Sequence, residues 1–196
     1  MKMHRSFIAV GLDPALQHGV ADLQERMRAS GARLRWVKPH NVHFTLRFLG
    51  EIPAAQLARA VVAVRETARG AAPFAITLAG LGAFPNFDRP QIIWIDSREG
   101  ADTLEHLAAN LDAALSRQGF PSESRRFRPH LTLGRAKDDR QWGDLLRALQ
   151  RFREQEIGQQ EIRAVTVMES HLTHDGPVYT ALEEVPLAQG LNTPAG

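Results

Sequence analysis

Two tetrapeptides in this 196-residue chain set an imidazole and a hydroxyl two residues apart: His43-Phe44-Thr45-Leu46 and His130-Leu131-Thr132-Leu133. In an extended strand, side chains at i and i+2 share a face. His43 and Thr45 therefore look one way, while Phe44, Leu46 and Phe48 look the other. His130 and Thr132 oppose Leu131 and Leu133 in the same manner. Histidine, with an ordinary pKa of about 6.5, takes or gives a proton near neutrality. A neighbouring threonine hydroxyl can donate to a non-bridging phosphate oxygen. If two such strands face each other across a cleft, one imidazole lies on either side of a phosphorus. The neutral one deprotonates an attacking water and the protonated one supplies the leaving oxygen with its proton. That is in-line displacement without a metal. A single H-x-T-L is weak; two, 87 residues apart with matched apolar backs, point to function.

These pairs need strands to carry them. The pattern predicts a strand over Phe7–Leu12, with Asp13-Pro14 capping a helix that runs to about Ala29 and stops at Ser30-Gly31. A short strand, Leu34–Val37, precedes the first motif strand, Val42–Gly50, and Pro53 opens a second helix of about 16 residues. Strands Phe74–Leu81 and Gln91–Asp96 flank a turn-rich loop, Gly82–Pro90. An amphipathic helix over Asp102–Gln118 and a basic connection, Pro121–Pro129, lead into the second motif strand, His130–Arg135. A short helix near Arg140–Phe152 and two long strands, Ile157–Leu172 and Tyr179–Pro186, complete the pattern, with Leu187–Gly196 as a tail. The halves form a crude duplication, each with a long helix and one His-x-Thr strand. Strand excess and late hairpins favour α+β over a doubly wound parallel sheet.

Composition narrows the chemistry. Hydrophobic residues are 43% and charged residues 23%, which excludes a disordered or fibrous chain. There is no cysteine, so disulfides, thiolate nucleophiles and iron–sulfur clusters are excluded. No apolar run approaches the roughly 20 residues of a membrane helix, and Met1–Val10 lacks the apolar region and cleavage site of a signal peptide. A cytoplasmic protein without a membrane partner is the expectation, and a monomer, since no coiled-coil pattern occurs. Among 24 basic residues only three are lysine. Guanidinium suits phosphate, but GC-rich coding accounts for the same excess. Net charge, +2, identifies nothing.

The longer blocks carry a resemblance. Arg33-Leu34-Arg35-Trp36-Val37 leading into Asn41–Glu51, then Gly80–Pro85 with Arg89-Pro90 and Trp94, resemble the first and middle blocks of the 2H phosphoesterase superfamily. Phe127–Arg135, and Ser170-His171-Leu172 with Gly176–Tyr179, resemble its second motif and terminal hairpin. The likeness is to the RNA 2′,3′-cyclic phosphodiesterase family, also called 2′-5′ RNA ligases, and spans roughly residues 5 to 186. It implies a LigT-like α+β fold of two pseudo-symmetric lobes, with antiparallel sheets flanking a central cleft and helices outside. One two-lobed domain would cover residues 1–186, with 187–196 as its tail. It implies hydrolysis of RNA 2′,3′-cyclic phosphate ends, or of cyclic nucleotides, to 2′-phosphate without metal or cofactor, and reversible 2′-5′ ligation. By motif position His43 is the proton donor and His130 the acceptor, with Thr45, Thr132 and Arg135 binding phosphate. Strict alternation points Arg135 away from His130; it joins the cleft only if the strand ends or bulges at Gly134.

A different class competes: an RNA- or nucleotide-binding module that cradles phosphate without turnover. A metal-dependent hydrolase would need carboxylates, and none accompanies either motif. His171-Leu172-Thr173-His174 reads as an incidental hairpin tip, and His4, His18, His40 and His106 have no partner pattern. Arg125, Arg126 and Arg128 suit either a solvated loop or an RNA contact. The Phe84–Phe87 loop suits base stacking or packing. Trp36 and Trp94 read as core.

Overall fold

The computed structural model describes residues 2–136, 142–174 and 176–188. In chain order it runs β1 (Met3–Gly11), α1 (Pro14–Ala29), β2 (Leu34–Trp36), β3 (His43–Pro53), α2 (Ala54–Arg69) and β4 (Phe74–Phe84). It continues with β5 (Ile92–Glu99), α3 (Ala101–Arg117), β6 (Leu131–Ala136), α4 (Trp142–Arg151), β7 (Glu156–Ile162), β8 (Ala164–Thr173) and β9 (Gly176–Pro186). The strands form two sheets, ordered β3-β1-β8-β9 and β2-β6-β5-β4-β7. Every recorded strand pair is antiparallel. The fold is the expected α+β arrangement.

The lobes are not the two halves of the chain. β2 and β4 of the first half belong to the five-stranded sheet, and β8 and β9 of the second half close the four-stranded one. The crossover corrects one expectation: Ile157–Leu172 is not one strand but β7 and β8, in different sheets. The residue pattern marks the break. Ile162 is buried at an even position, whereas Val165 and Val167 are buried at odd ones, so the alternation slips at Arg163. β4 also runs on to Phe84, shortening the expected loop.

Local signals behave as their chemistry requires. Asp13 caps α1, its carboxylate accepting from the Leu16 N–H at 2.8 Å, and Pro14 takes the first helical position. Leu104, Leu107, Leu111 and Leu115 form the buried stripe of α3. The predicted start of the fourth helix, Arg140, lies outside the described residues, as do 189–196. Leu187, expected as the tail's first residue, is buried, its N–H bonded to the Arg163 carbonyl.

Both motif strands bulge at the same motif position, and polar groups hold each bulge. Between β1 and β3 the register shifts opposite Leu46, where Ile8 pairs with Arg47 and Ala9 with Thr45. Between β5 and β6 it shifts opposite Leu133, where Ile93 pairs with Gly134 and Trp94 with Thr132. Each bulge turns two consecutive residues to the buried side: Leu46 with Arg47, and Leu133 with Gly134. The Arg47 guanidinium, 9% exposed, donates to Asp112 of α3 and to the Pro121 carbonyl. The Leu133 carbonyl accepts from the Val37 N–H and from the buried Gln24 amide of α1.

Candidate active site

A cleft of about 840 Å³ opens between the sheets. His43 and Thr45 of β3 line it together with His130 and with Thr132 and Arg135 of β6. All five residues expected to act on phosphate share this one cleft. The bulge at Leu133-Gly134 answers the alternation problem: Thr132 and Arg135, three residues apart, come to the same face. The first bulge does likewise for Phe48, expected on the buried face with Phe44. It is 57% exposed and lines the cleft instead. Counting from each histidine, Phe48 and Arg135 hold the same motif position. The pseudo-symmetric cleft thus presents an aromatic ring in one lobe and a guanidinium in the other.

The imidazoles are oriented alike. His43 Nδ1 lies 2.7 Å from the Asn41 carbonyl, and His130 Nδ1 lies 2.7 Å from the Arg128 carbonyl. A carbonyl only accepts, so Nδ1 carries the hydrogen in both rings and Nε2 is left for the cleft. Their surroundings differ. His43 stacks on Phe7 at 4.8 Å between ring centroids and meets the edge of Tyr179 at 5.3 Å. Burial there pushes its pKa below the ordinary histidine value, against the opposing pull of the Asn41 carbonyl. His130 meets Phe84 edge-on at 5.2 Å and Trp94 at 6.2 Å. Asp96 of β5 is close enough for its charge to couple to His130 and Arg128, although burial raises its own pKa.

The depressed His43 pKa has a consequence for stability. Its folded form binds fewer protons than the unfolded chain, so its contribution is complete above about 6.5 and is lost as pH falls through the folded value. The urea midpoint of the native protein should fall more steeply from about pH 7.5 to pH 5 than that of His43→Gln. Parallel slopes in the two proteins would contradict this.

Several cleft neighbours are not legible in the motifs. Phe7 and Tyr179 clasp His43 from distant strands, so no local spacing announces them. Trp36 packs against the core and also lines the cleft. Trp94, expected in the core, is half-buried beside His130, stacked on Phe84 at 5.1 Å with its buried indole N–H unpartnered. Thr173 and His174, read as incidental, line the cleft, and the hairpin is held there by the Asn41 amide bonding to the Pro177 carbonyl at 2.9 Å. His4 is partnered after all: its Nδ1 lies 2.7 Å from Glu169, whose other oxygen reaches His171 at 3.2 Å. Of the basic connection, Arg126 is paired with Glu105 at 2.6 Å.

Gly82 is the seat of the Trp94 ring. A Cβ there would lie 2.1 Å from the indole Cζ2, well inside contact distance. Gly82→Ala should cost about 1–3 kcal/mol, read as a lowered urea midpoint, and should displace the aromatic wall beside His130. An unchanged midpoint would show that the ring has room to move.

A cleft walled by two sheets, each presenting one His-x-Thr pair with its histidine held by Nδ1, sets two imidazoles and two hydroxyls around one space. The model of the LigT like Phosphoesterase family matches the chain twice in succession, over residues 10–94 and 95–179, and the chain belongs to that family. It is 36% identical over 179 residues to the RNA 2′,3′-cyclic phosphodiesterase of Methanothermobacter thermautotrophicus, covering 91% of this chain and 96% of that protein. It is 39% identical over 153 residues to the Aquifex aeolicus protein of the same name, covering 76% of this chain and 80% of the relative. Among solved structures, TT0787 of Thermus thermophilus superposes with a TM-score of 0.80 at 29% identity, covering 95% of this chain and 99% of that one. Among the described residues no helix is long and apolar enough to cross a membrane.

Proposed function

We propose that the protein hydrolyses RNA 2′,3′-cyclic phosphate ends to 2′-phosphates, using its two histidines as acid and base and no metal. The observation that carries this reading is the shared cleft, in which the two His-x-Thr pairs approach from different sheets with Nε2 of each ring available. Neutral His130 takes a proton from water through Nε2 as the water oxygen bonds to phosphorus. The bond from phosphorus to the 3′-oxygen breaks, and protonated His43 gives that oxygen its proton. Thr45, Thr132 and Arg135 hold the non-bridging oxygens and the charge that gathers on them.

Burial makes His43 a reluctant cation before substrate arrives, and therefore a strong acid once protonated. The incoming phosphodiester supplies the proton's counter-charge. An anion about 4 Å away is worth roughly 4 kcal/mol at an effective dielectric of 20, enough to oppose the desolvation. Substrate and proton then bind together. No carboxylate among the described residues lines the cleft, and magnesium and calcium favour such oxygen ligands, so the donor set suits an anion better than either of these cations. One chain supplies both pairs, and we read the monomer as the active unit. With an RNA 5′-hydroxyl in place of water, the same displacement forms a 2′-5′ linkage, and its reverse opens one.

Regiochemistry tests the reading. A 2′,3′-cyclic mononucleotide or short oligonucleotide is incubated with the protein and the products are resolved by phosphorus NMR. The expected product is the 2′-phosphate alone. The 3′-phosphate would reverse the assignment of the leaving oxygen, and no product from folded protein would favour a phosphate-binding module.

A further inference from the structure

The cationic wall of the cleft extends past the two His-x-Thr pairs. Arg35 of β2 and Arg135 of β6 are register partners in an antiparallel pair, and both line the cleft. Directly opposed side chains in such a pair hold their Cβ atoms about 4.5–5.5 Å apart, and like charges there are destabilising. Lys38, two residues beyond β2, adds a third cation to the same cleft. The cleft wall offers these groups no carboxylate among the described residues. Some arginines elsewhere are matched, Arg65 pairing with Glu183 and Arg117 with Glu66. Facing guanidiniums in one cleft are what a ligand with more than one anionic group would relieve.

The reacting phosphate accounts for Arg135 and the two threonines but leaves Arg35 and Lys38 without a role. We infer that Arg35 and Lys38 form a second anion subsite, which holds the phosphodiester immediately 5′ of the terminal nucleotide. The subsite rests on the cyclic-phosphate reading of the cleft, which it deepens. Neighbouring cations on β2 and β6 match the repeated anions of a single strand, and the planar guanidinium suits a phosphodiester. β2 is the edge strand of its sheet, so an RNA chain leaves the cleft there without crossing another strand. The subsite makes polynucleotide ends, rather than cyclic mononucleotides, the favoured substrates.

The test compares native protein with Arg35→Gln and Lys38→Gln on a 2′,3′-cyclic mononucleotide and on a trinucleotide with the same cyclic end. Arg35 is exposed on its edge strand, so glutamine leaves the core intact. The native protein should prefer the trinucleotide in kcat/KM. The trinucleotide-to-mononucleotide ratio should fall about tenfold in Arg35→Gln, with a salt slope for the trinucleotide shallower by about one. A ratio that is unchanged in both variants overturns the subsite. If the native protein consumes neither substrate, the cyclic-phosphate reading fails separately. Binding of a 3′-phosphorylated trinucleotide then decides the subsite, because an unchanged Kd in Arg35→Gln overturns it and a roughly tenfold rise supports it.

Discussion

Replacing either cleft histidine by alanine should lower kcat/KM on a cyclic-phosphate-ended oligoribonucleotide by roughly 10²–10⁴-fold, the usual contribution of one positioned acid or base. That is about 2.7–5.5 kcal/mol of transition-state stabilisation. The double variant should fall little below the worse single one, because one proton delivered without the other removed does not complete the displacement. Neither change should unfold the protein, since both rings border the cleft rather than fill the core. His43→Ala has the larger structural effect of the two, because it also removes the ring stacked on Phe7. Steady-state kinetics with urea melts on each variant separates these effects. A single variant that kept the native rate would remove its histidine from the chemistry.

Arg135→Ala should give the next largest loss, about 10²-fold in kcat/KM. A charge-assisted hydrogen bond is worth roughly 1.5–3 kcal/mol, and charge on the non-bridging oxygens grows toward the transition state. Arg135→Lys should recover only part of the loss, since an ammonium keeps the charge but not the bidentate fork. The loss should appear in kcat as well as KM. A change in KM alone, with kcat preserved, would reduce Arg135 to ground-state binding.

Much of the site can be read from the sequence because its critical relations are local. Alternation alone puts His43 with Thr45 and His130 with Thr132, and the structure brings both pairs to one cleft. Alternation fails one residue further on. It puts Phe48 on the buried face and leaves Arg135 ambiguous, because a bulge depends on distant partners. At β6 these are the Gln24 amide and the Val37 N–H, both directed to the Leu133 carbonyl. At β3 Arg47 turns inward toward Asp112 of α3. The environment that sets His43's acidity is equally hidden, since Phe7 and Tyr179 lie 36 residues before it and 136 after it in the chain. The interleaved sheets have the same cause. A duplicated pattern suggests two halves, but strand pairing across the β7–β8 crossover decides which lobe each strand joins.

The two-histidine claim is tested most directly by one side-by-side assay. Native protein, His43→Ala and His130→Ala are each incubated with a 2′,3′-cyclic-phosphate-ended oligoribonucleotide in excess EDTA, and 2′- and 3′-phosphate products are resolved. Conversion to the 2′-phosphate by the native protein, with a loss of roughly 10²-fold or more in each variant, is the expected result. Activity abolished by EDTA and restored by a divalent metal, or native rates in either variant, would contradict it.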